Sequence, residues 1–385
     1  MKRNSTARRT LPATAKPKVE GHGFVPPYGR SWLNRLADWV DRLPGPAWWP
    51  YVLLGLILLT AQIAVQWAGG TYPVGRVDLF NMVVAFTVPY QLGLMHYLLR
   101  TAAHSLEEFR PALRADPAEA AELKFRLTTL PARGTFWAGL GVTAGALLIV
   151  LLSSLASSLG LPWLTKIVGD NILLTFAQVF RISTSPASLG LSGLITLASW
   201  WTTGAYAYLA IHQLRLIDRI FTRFAYLRLF RLGPLYAFSR HTLRSSIGLL
   251  ILAYALIATA PSVVYSPVGG ASWLLLVTGG VAIFLLPLLG IHRQLVREKD
   301  RMLEEAGRRM EAGVAELHRR MDKNELGRMD DLNKALSSLE IERAALEHVP
   351  TWPWERGTLR SLVAAIVIPL LVWAIQAILQ RYLAG

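Results

Sequence analysis

Few residues in this chain of 385 are of a type and spacing that could do chemistry. His96, Arg100 and His104 stand four residues apart and share one helix face. Two histidines on one face can hold a metal or haem, but the gap from His96 to His104 spans ~12 Å along a helix, too far for one ion. They read as interfacial polar residues, as do His212 and His292. Ser199, Thr202, Thr203 and Tyr206 lie along one side of a helix, with Trp200, Trp201 and Tyr208 nearby. Such a mix suits a pocket for a small organic ligand, for which Ser199, Trp200, Thr203 and Tyr206 are the candidates, or equally hydrogen bonding between helices. Pro369, Trp373, Gln376 and Gln380 follow steps of four, three and four along the last apolar block, whose other face, with Val367, Leu371 and Ala374, is fully apolar. That stripe either lines a water-filled path closed by a dewetting gate or faces neighbouring helices. Arg215, Arg219 and Arg223 repeat every four residues, with Arg228 and Arg231 beyond and Phe221, Phe224, Leu227 and Phe230 interleaved. These arginines are candidates for contact with anionic lipid or another anion, or are the positive flank of a membrane span.

Other chemistry is missing. There is no cysteine, which excludes disulfides, iron–sulfur clusters, thiolate metal sites and thiol nucleophiles. No Asp pair, His–Glu–His cluster or Ser–His pair falls within an apolar block, so we expect no enzyme, no cofactor and no bound metal. No Asp, Glu, Lys or Arg stands near the middle of any block, which argues against a proton pump or carboxylate-coupled transporter.

The elements that must position these residues are membrane helices. Hydrophobic residues make up 53% of the chain. They fall in seven blocks of eighteen residues or more: Pro50–Ala68, Leu79–Leu99, Thr135–Leu159, Gly193–Ile211, Ile247–Val264, Trp273–Ile291 and Leu359–Leu379. That length crosses ~30 Å of hydrocarbon. The predicted fold is therefore an all-α membrane protein of about seven spans, N-terminus inside and C-terminus outside. Orientation follows from the connections: only Arg76, Lys166, Arg181 and Arg381 of the 40 Lys and Arg fall on the outer side. The net charge of +15 is thus positive-inside topology and not a nucleic-acid footprint. Gly141 and Gly145 have the spacing of close helix approach, with Ser153, Ser154, Ser157 and Ser158 following. Leu161–Phe180, carrying Lys166, Asp170 and Asn171, reads as an outer loop with an amphipathic or re-entrant piece.

Five regions follow. Residues 1–30 form a basic disordered tail, too long, polar and basic for a secretory signal. Residues 31–45 form an interfacial helix capped by Ser31, with Trp32, Leu36, Trp39 and Leu43 on its apolar face. Residues 46–291 hold six spans with a helical extension at 212–246. Residues 292–348 are charged and weakly heptadic (Leu303, Met310 and Leu317, then Leu332, Leu339 and Leu346), which predicts an antiparallel hairpin turning near Asp322–Gly327. Residues 349–385 hold an interfacial Trp352-Pro353-Trp354 anchor and the last span.

This layout resembles the insect odorant and gustatory receptors and their distant relatives. The resemblance lies in seven inverted spans, helices extended below the membrane at Arg215–Phe230 and His292–His348, and a terminal span with a six-residue tail. It covers the whole chain but rests on architecture: the gustatory Thr-Tyr pair before the last-helix Gln-Phe is absent, and Gln376 follows Val372-Trp373-Ala374-Ile375. The resemblance implies a tetramer, a shared cytoplasmic anchor and a pore lined by the last helix. The expected function is a homo-oligomeric, multi-pass ion channel of the plasma membrane, opened by a ligand. The alternative is a membrane scaffold or signalling protein that binds a partner through the hairpin. A third is a uniporter or lipid-handling protein using the polar and aromatic face around Ser199–Tyr206.

Overall fold

The computed structural model describes residues 26–70, 73–77, 79–159, 186–226, 229–259, 267–323, 327 and 329–383. The segment Leu161–Phe180, Asp78, Arg228 and most of the basic tail lie outside the described residues. So does the centre of the predicted hairpin turn, residues 324–326.

Ten α-helices make up the described chain, in the order α1 (Trp32–Val40), α2 (Trp49–Ala68), α3 (Leu79–Phe109), α4 (Pro117–Thr128), α5 (Ala132–Ser158), α6 (Pro186–Phe224), α7 (Tyr236–Thr259), α8 (Pro267–Asp322), α9 (Met329–Glu347) and α10 (Arg356–Leu383). Two isolated bridges, Arg30 to Pro131 and Leu113 to Ala225, are the extended pairing among the described residues. Among the described residues, four helices are long and apolar enough to cross a membrane: α2, α3, α5 from Ala132 to Leu152, and α8 from Trp273. The chain is a multi-pass membrane protein. The predicted spans Gly193–Ile211 and Leu359–Leu379 fall inside α6 and α10, and the described part of Ile247–Val264 falls inside α7.

Several helices greatly exceed a bilayer. With 39 and 56 residues, α6 and α8 run ~58 and ~84 Å, against ~30 Å of hydrocarbon. Their overhang lies at the end of the bundle that carries most of the arginines, called here the basic end. There Phe109 of α3, Phe221 of α6 and Phe238 of α7 are fully buried, with ring centroids 5.1 to 5.7 Å apart. Edge-on and tilted packing of three rings locks the extended helices together there.

The entry to the bundle is set by capping. Ser31 Oγ accepts from the Asn34 N–H at the start of α1, and the Asn34 amide donates to Thr128 O at 2.8 Å while accepting from Leu130 N at 2.9 Å. These bonds hold α1 against the α4–α5 junction. Leu33, Ala37 and Val40 bury against the bundle, whereas Trp39 on the opposite apolar face is 55% exposed. Asp116 and Glu119 form a capping box at α4.

The seam between α5 and α6 is the most extensive in the bundle. Glycine makes it possible, though not at the residues that spacing suggests. A side chain at Gly141 or Gly145 would meet nothing within 4 Å, so these two mark no close approach among the described residues. The approach is at Gly139 and Gly204 instead. A Cβ on Gly204 would stand 2.8 Å from the Gly139 Cα, and one on Gly139 would stand 2.9 Å from the Trp201 ring. Gly139, Gly141 and Gly145 all lie on α5, and only the tertiary rotation of that helix decides which of them meets α6.

Beyond the apolar part of α8, α8 and α9 pair as the two arms of a hairpin, with Leu336 against Gly313. Lys299 Nζ donates to Glu347 O and Val349 O at 2.7 and 3.1 Å, closing the end of α9. Trp352 stacks on His292 with centroids 3.8 Å apart, and Trp354 stacks on Trp352 at 4.3 Å. This stack turns the chain into α10.

Candidate functional site: a cavity between four helices

One of the candidate clusters comes together around a cavity. Ser199, Trp200, Thr203 and Tyr206 of α6 line a single cavity of about 230 Å³. Phe80, Val84, Thr87 and Gln91 of α3 close one side, Leu249, Leu252 and Ala253 of α7 another, and Leu276 of α8 the end. The i, i+4, i+7 spacing of Ser199, Thr203 and Tyr206 puts them in one row on α6, because 3.6 residues complete a turn.

The key polar partner comes from α3. Gln91 is 2% exposed, and its Nε2 donates to Thr203 Oγ1 at 2.7 Å while its Oε1 accepts from Thr202 Oγ1. A carboxamide bridging two hydroxyls satisfies its own carbonyl and amide at membrane depth, where no water would. Thr203 Oγ1 donates to Ser199 O at 2.7 Å, Thr87 Oγ1 to Val83 O at 2.8 Å and Thr196 Oγ1 to Ser192 O at 2.8 Å. The Tyr206 hydroxyl donates to Ser245 O at 2.8 Å. Each of these threonines has spent its hydrogen and keeps an oxygen lone pair. The cavity therefore offers hydrogen-bond acceptors on an apolar wall, which fits a small ligand carrying a donor group. At 230 Å³ it is larger than a dry cavity of ~150 Å³ that takes benzene, and smaller than the ~300 Å³ lower bound for drug-sized sites.

The other candidates are placed differently. His96 is 2% exposed; its Nδ1 lies 2.9 Å from the Tyr51 hydroxyl and its Nε2 2.9 Å from Asp41 Oδ1. Arg100 pairs with the same Asp41, while His104 turns to Glu108 at 3.0 Å. Arg215, Arg219, Arg223 and Arg231 are exposed, and Arg219 and Arg223 share a cleft with Glu119 and Glu122 of α4, so acidic groups flank the stripe. Tyr208 stacks on His212, with centroids 6.0 Å apart, and Trp201 packs on Phe136 of α5. Pro369 is half-buried on α10, and the side chains of Trp373, Gln376 and Gln380 lie outside those described. Among the described residues, no group of three or more His, Asp or Glu could hold a metal ion.

No protein-family model, no curated protein and no solved structure matches this chain. Two further polar sites were not visible as sites in the sequence. Gln62 and Gln66 of α2 and Asn81 of α3 are buried together, with Gln62 Nε2 donating to Asn81 Oδ1 at 3.1 Å. The i, i+4 spacing of the glutamines in an apolar block was the available signal. His241 of α7 is also buried: its Nε2 lies 3.1 Å from Gln213 Oε1 and its Nδ1 3.2 Å from Thr101 Oγ1. Burial, with the Arg244 charge adding to it, lowers the His241 pKa to about 4, so the ring is neutral at ordinary pH.

Proposed function

We propose that this chain is the subunit of a homo-oligomeric ion channel in the cell membrane, seven-spanning with its basic end in the cytoplasm. The last helix lines the path, and a small ligand in the α3–α6–α7–α8 cavity opens it. The reading rests on one observation: α10 packs chiefly against α7 and leaves a broad apolar face uncovered. Val363, Val367, Ile368, Leu371 and Ile375 are each 42 to 58% exposed. A helix held by one neighbour is free to pack on copies of itself around an axis. Tyr254 of α7 donates to Ile366 O at 2.9 Å beside Pro369, so α7, a wall of the cavity, is tied to α10 at its proline. Ligand occupancy is thereby coupled to the helix that would line the path. The resemblance to the insect receptor channels adds the expectation of four subunits.

Single-particle imaging of the detergent-extracted protein tests this directly. A closed ring with α10 at its axis is expected, together with bilayer currents that Gln376→Leu and Trp373→Ala alter. A stable monomer would overturn it.

A second reading is a scaffold that docks a partner on the hairpin. Ile341 is 71% exposed and Met321 56% exposed on otherwise charged arms. Deleting residues Arg301–Ala344 separates the two: a scaffold loses its partner and keeps its assembly state, whereas a channel loses its ring.

A further inference from the structure

Away from the cavity between α3, α6, α7 and α8, a lateral groove of about 620 Å³ runs down the outside of α2 and α3 at the basic end. Tyr51 and Val52 of α2 and Pro89, Tyr90 and Gly93 of α3 form its wall, which is almost entirely carbon. Gly93 supplies depth, since a Cβ there would stand 3.3 Å from the Tyr51 ring and close the floor. Trp48 and Tyr97 flank the open edge, 64 and 47% exposed. Both helices are long and apolar enough to cross a membrane, so the medium facing this wall is acyl chain.

The rim carries charge. Arg100 lines the groove and pairs with Asp41, which also meets His96, so that position is close to neutral. Arg244 of α7 is different. Its guanidinium lies 5.9 Å from the centroid of the Tyr97 ring, and no carboxylate stands within ion-pair distance of it among the described residues. An uncompensated cation thus stands over Tyr97, at the edge of an apolar trough that Arg244 itself does not line, a pattern that complements a single negative charge on a long hydrocarbon body.

We propose that the groove binds an anionic phospholipid of the leaflet at the basic end. One acyl chain lies against Tyr51, Tyr90 and Gly93, and the phosphate lies at Arg244 with Arg100 beside it. A soluble anion would leave the carbon wall empty, and a zwitterionic lipid would leave the Arg244 charge unanswered by net charge. The site does not depend on the channel reading, because it uses neither α10 nor the cavity between α3, α6, α7 and α8.

The test uses the full chain in vesicles containing phosphatidylglycerol or phosphatidylcholine with a diazirine on one acyl chain. Labelling mapped by mass spectrometry should fall on residues 48–52 and 86–97. Unlabelled phosphatidylglycerol should compete at least five-fold better than phosphatidylcholine, and millimolar inorganic phosphate should not compete. Arg244→Gln should abolish the preference for phosphatidylglycerol while leaving total lipid contact. Val52→Trp, on an exposed groove wall, should reduce labelling by both lipids with an unchanged melting temperature. Equal competition by the two lipids in the unmodified protein would overturn the proposal, as would a preference surviving Arg244→Gln. Displacement by inorganic phosphate would assign the rim to a soluble anion and overturn it too.

Discussion

Adding one methyl group at Gly204 should weaken the bundle, while adding the same group at Gly141 should not. A Cβ at Gly204 meets backbone: it stands 2.8 Å from both the Ala138 carbonyl carbon and the Gly139 Cα, and backbone cannot rotate aside as a side chain can. The Ala138 carbonyl oxygen is closer still, and ordinary contact begins at 3.4 Å, so α5 and α6 must part by more than about 0.6 Å, which forfeits a quarter or more of the dispersion attraction for the atoms facing each other there. Overpacking of this kind costs ~1–3 kcal/mol. Alanine recovers up to ~1 kcal/mol because it favours helix over glycine. The net expectation for Gly204→Ala is a loss of about 1–2 kcal/mol, and more for Gly204→Val. At Gly141 the Cβ meets nothing within 4 Å, so only the propensity term acts and Gly141→Ala should be neutral or stabilising by up to ~1 kcal/mol. Reversible unfolding in mixed micelles, followed by circular dichroism against the fraction of denaturing detergent, measures both. If the two variants shift stability in the same direction by the same amount, glycine position does not govern the seam and the reasoning fails.

Breaking the polar bridge with Gln91→Leu should cost about 0.5–1.5 kcal/mol, the range for hydrogen bonds between membrane helices, and Thr203→Val should cost less than that; a double variant as stable as Gln91→Leu alone would show that they share one interaction. His241 has its folded pKa lowered to about 4 from an ordinary value of 6.5, so protonation favours the unfolded chain. Its stability contribution is full above pH 6.5 and is lost as pH falls towards 4, by an amount on the order of 3 kcal/mol, and His241→Gln should flatten that part of the profile in a pH series of thermal melts. Ile341→Lys should leave the melting temperature within about 0.5 kcal/mol equivalent, since the side chain is exposed, but should reduce self-association measured by sedimentation if copies meet on the hairpin.

The helical spans were legible because lipid requires long uncharged runs, and Pro50–Ala68 or Trp273–Ile291 can be little else. The α6 row was legible for a similar reason, since Ser199, Thr203 and Tyr206 lie one turn apart and must share a face. What the row faces was not legible. Gln91 stands 112 residues from Thr203, and nothing in either local pattern says that α3 and α6 are neighbours. Asp41 and His96 pose the same difficulty, because the turn at Gly45, with φ of 103°, has to carry α1 back beneath α3 before they meet. Glycine spacing misled at Gly141 and Gly145 because a stripe states that close approach is feasible, not which way the helix is rotated.

The long helix α8 runs unbroken from the predicted span Trp273–Ile291 into the hairpin, and it holds Pro287 about one turn before that span ends. Proline removes one bond of the backbone ladder there, to the carbonyl of Ile283, and makes that point the softest along the rod. From Pro287 to Asp322 the arm measures roughly 50 Å. A bend of five degrees at the proline would sweep the far end through roughly 4 Å, about the spacing of packed atoms. The arm is therefore geometrically a lever whose softest point is Pro287, so that a small change of angle there is multiplied along its length.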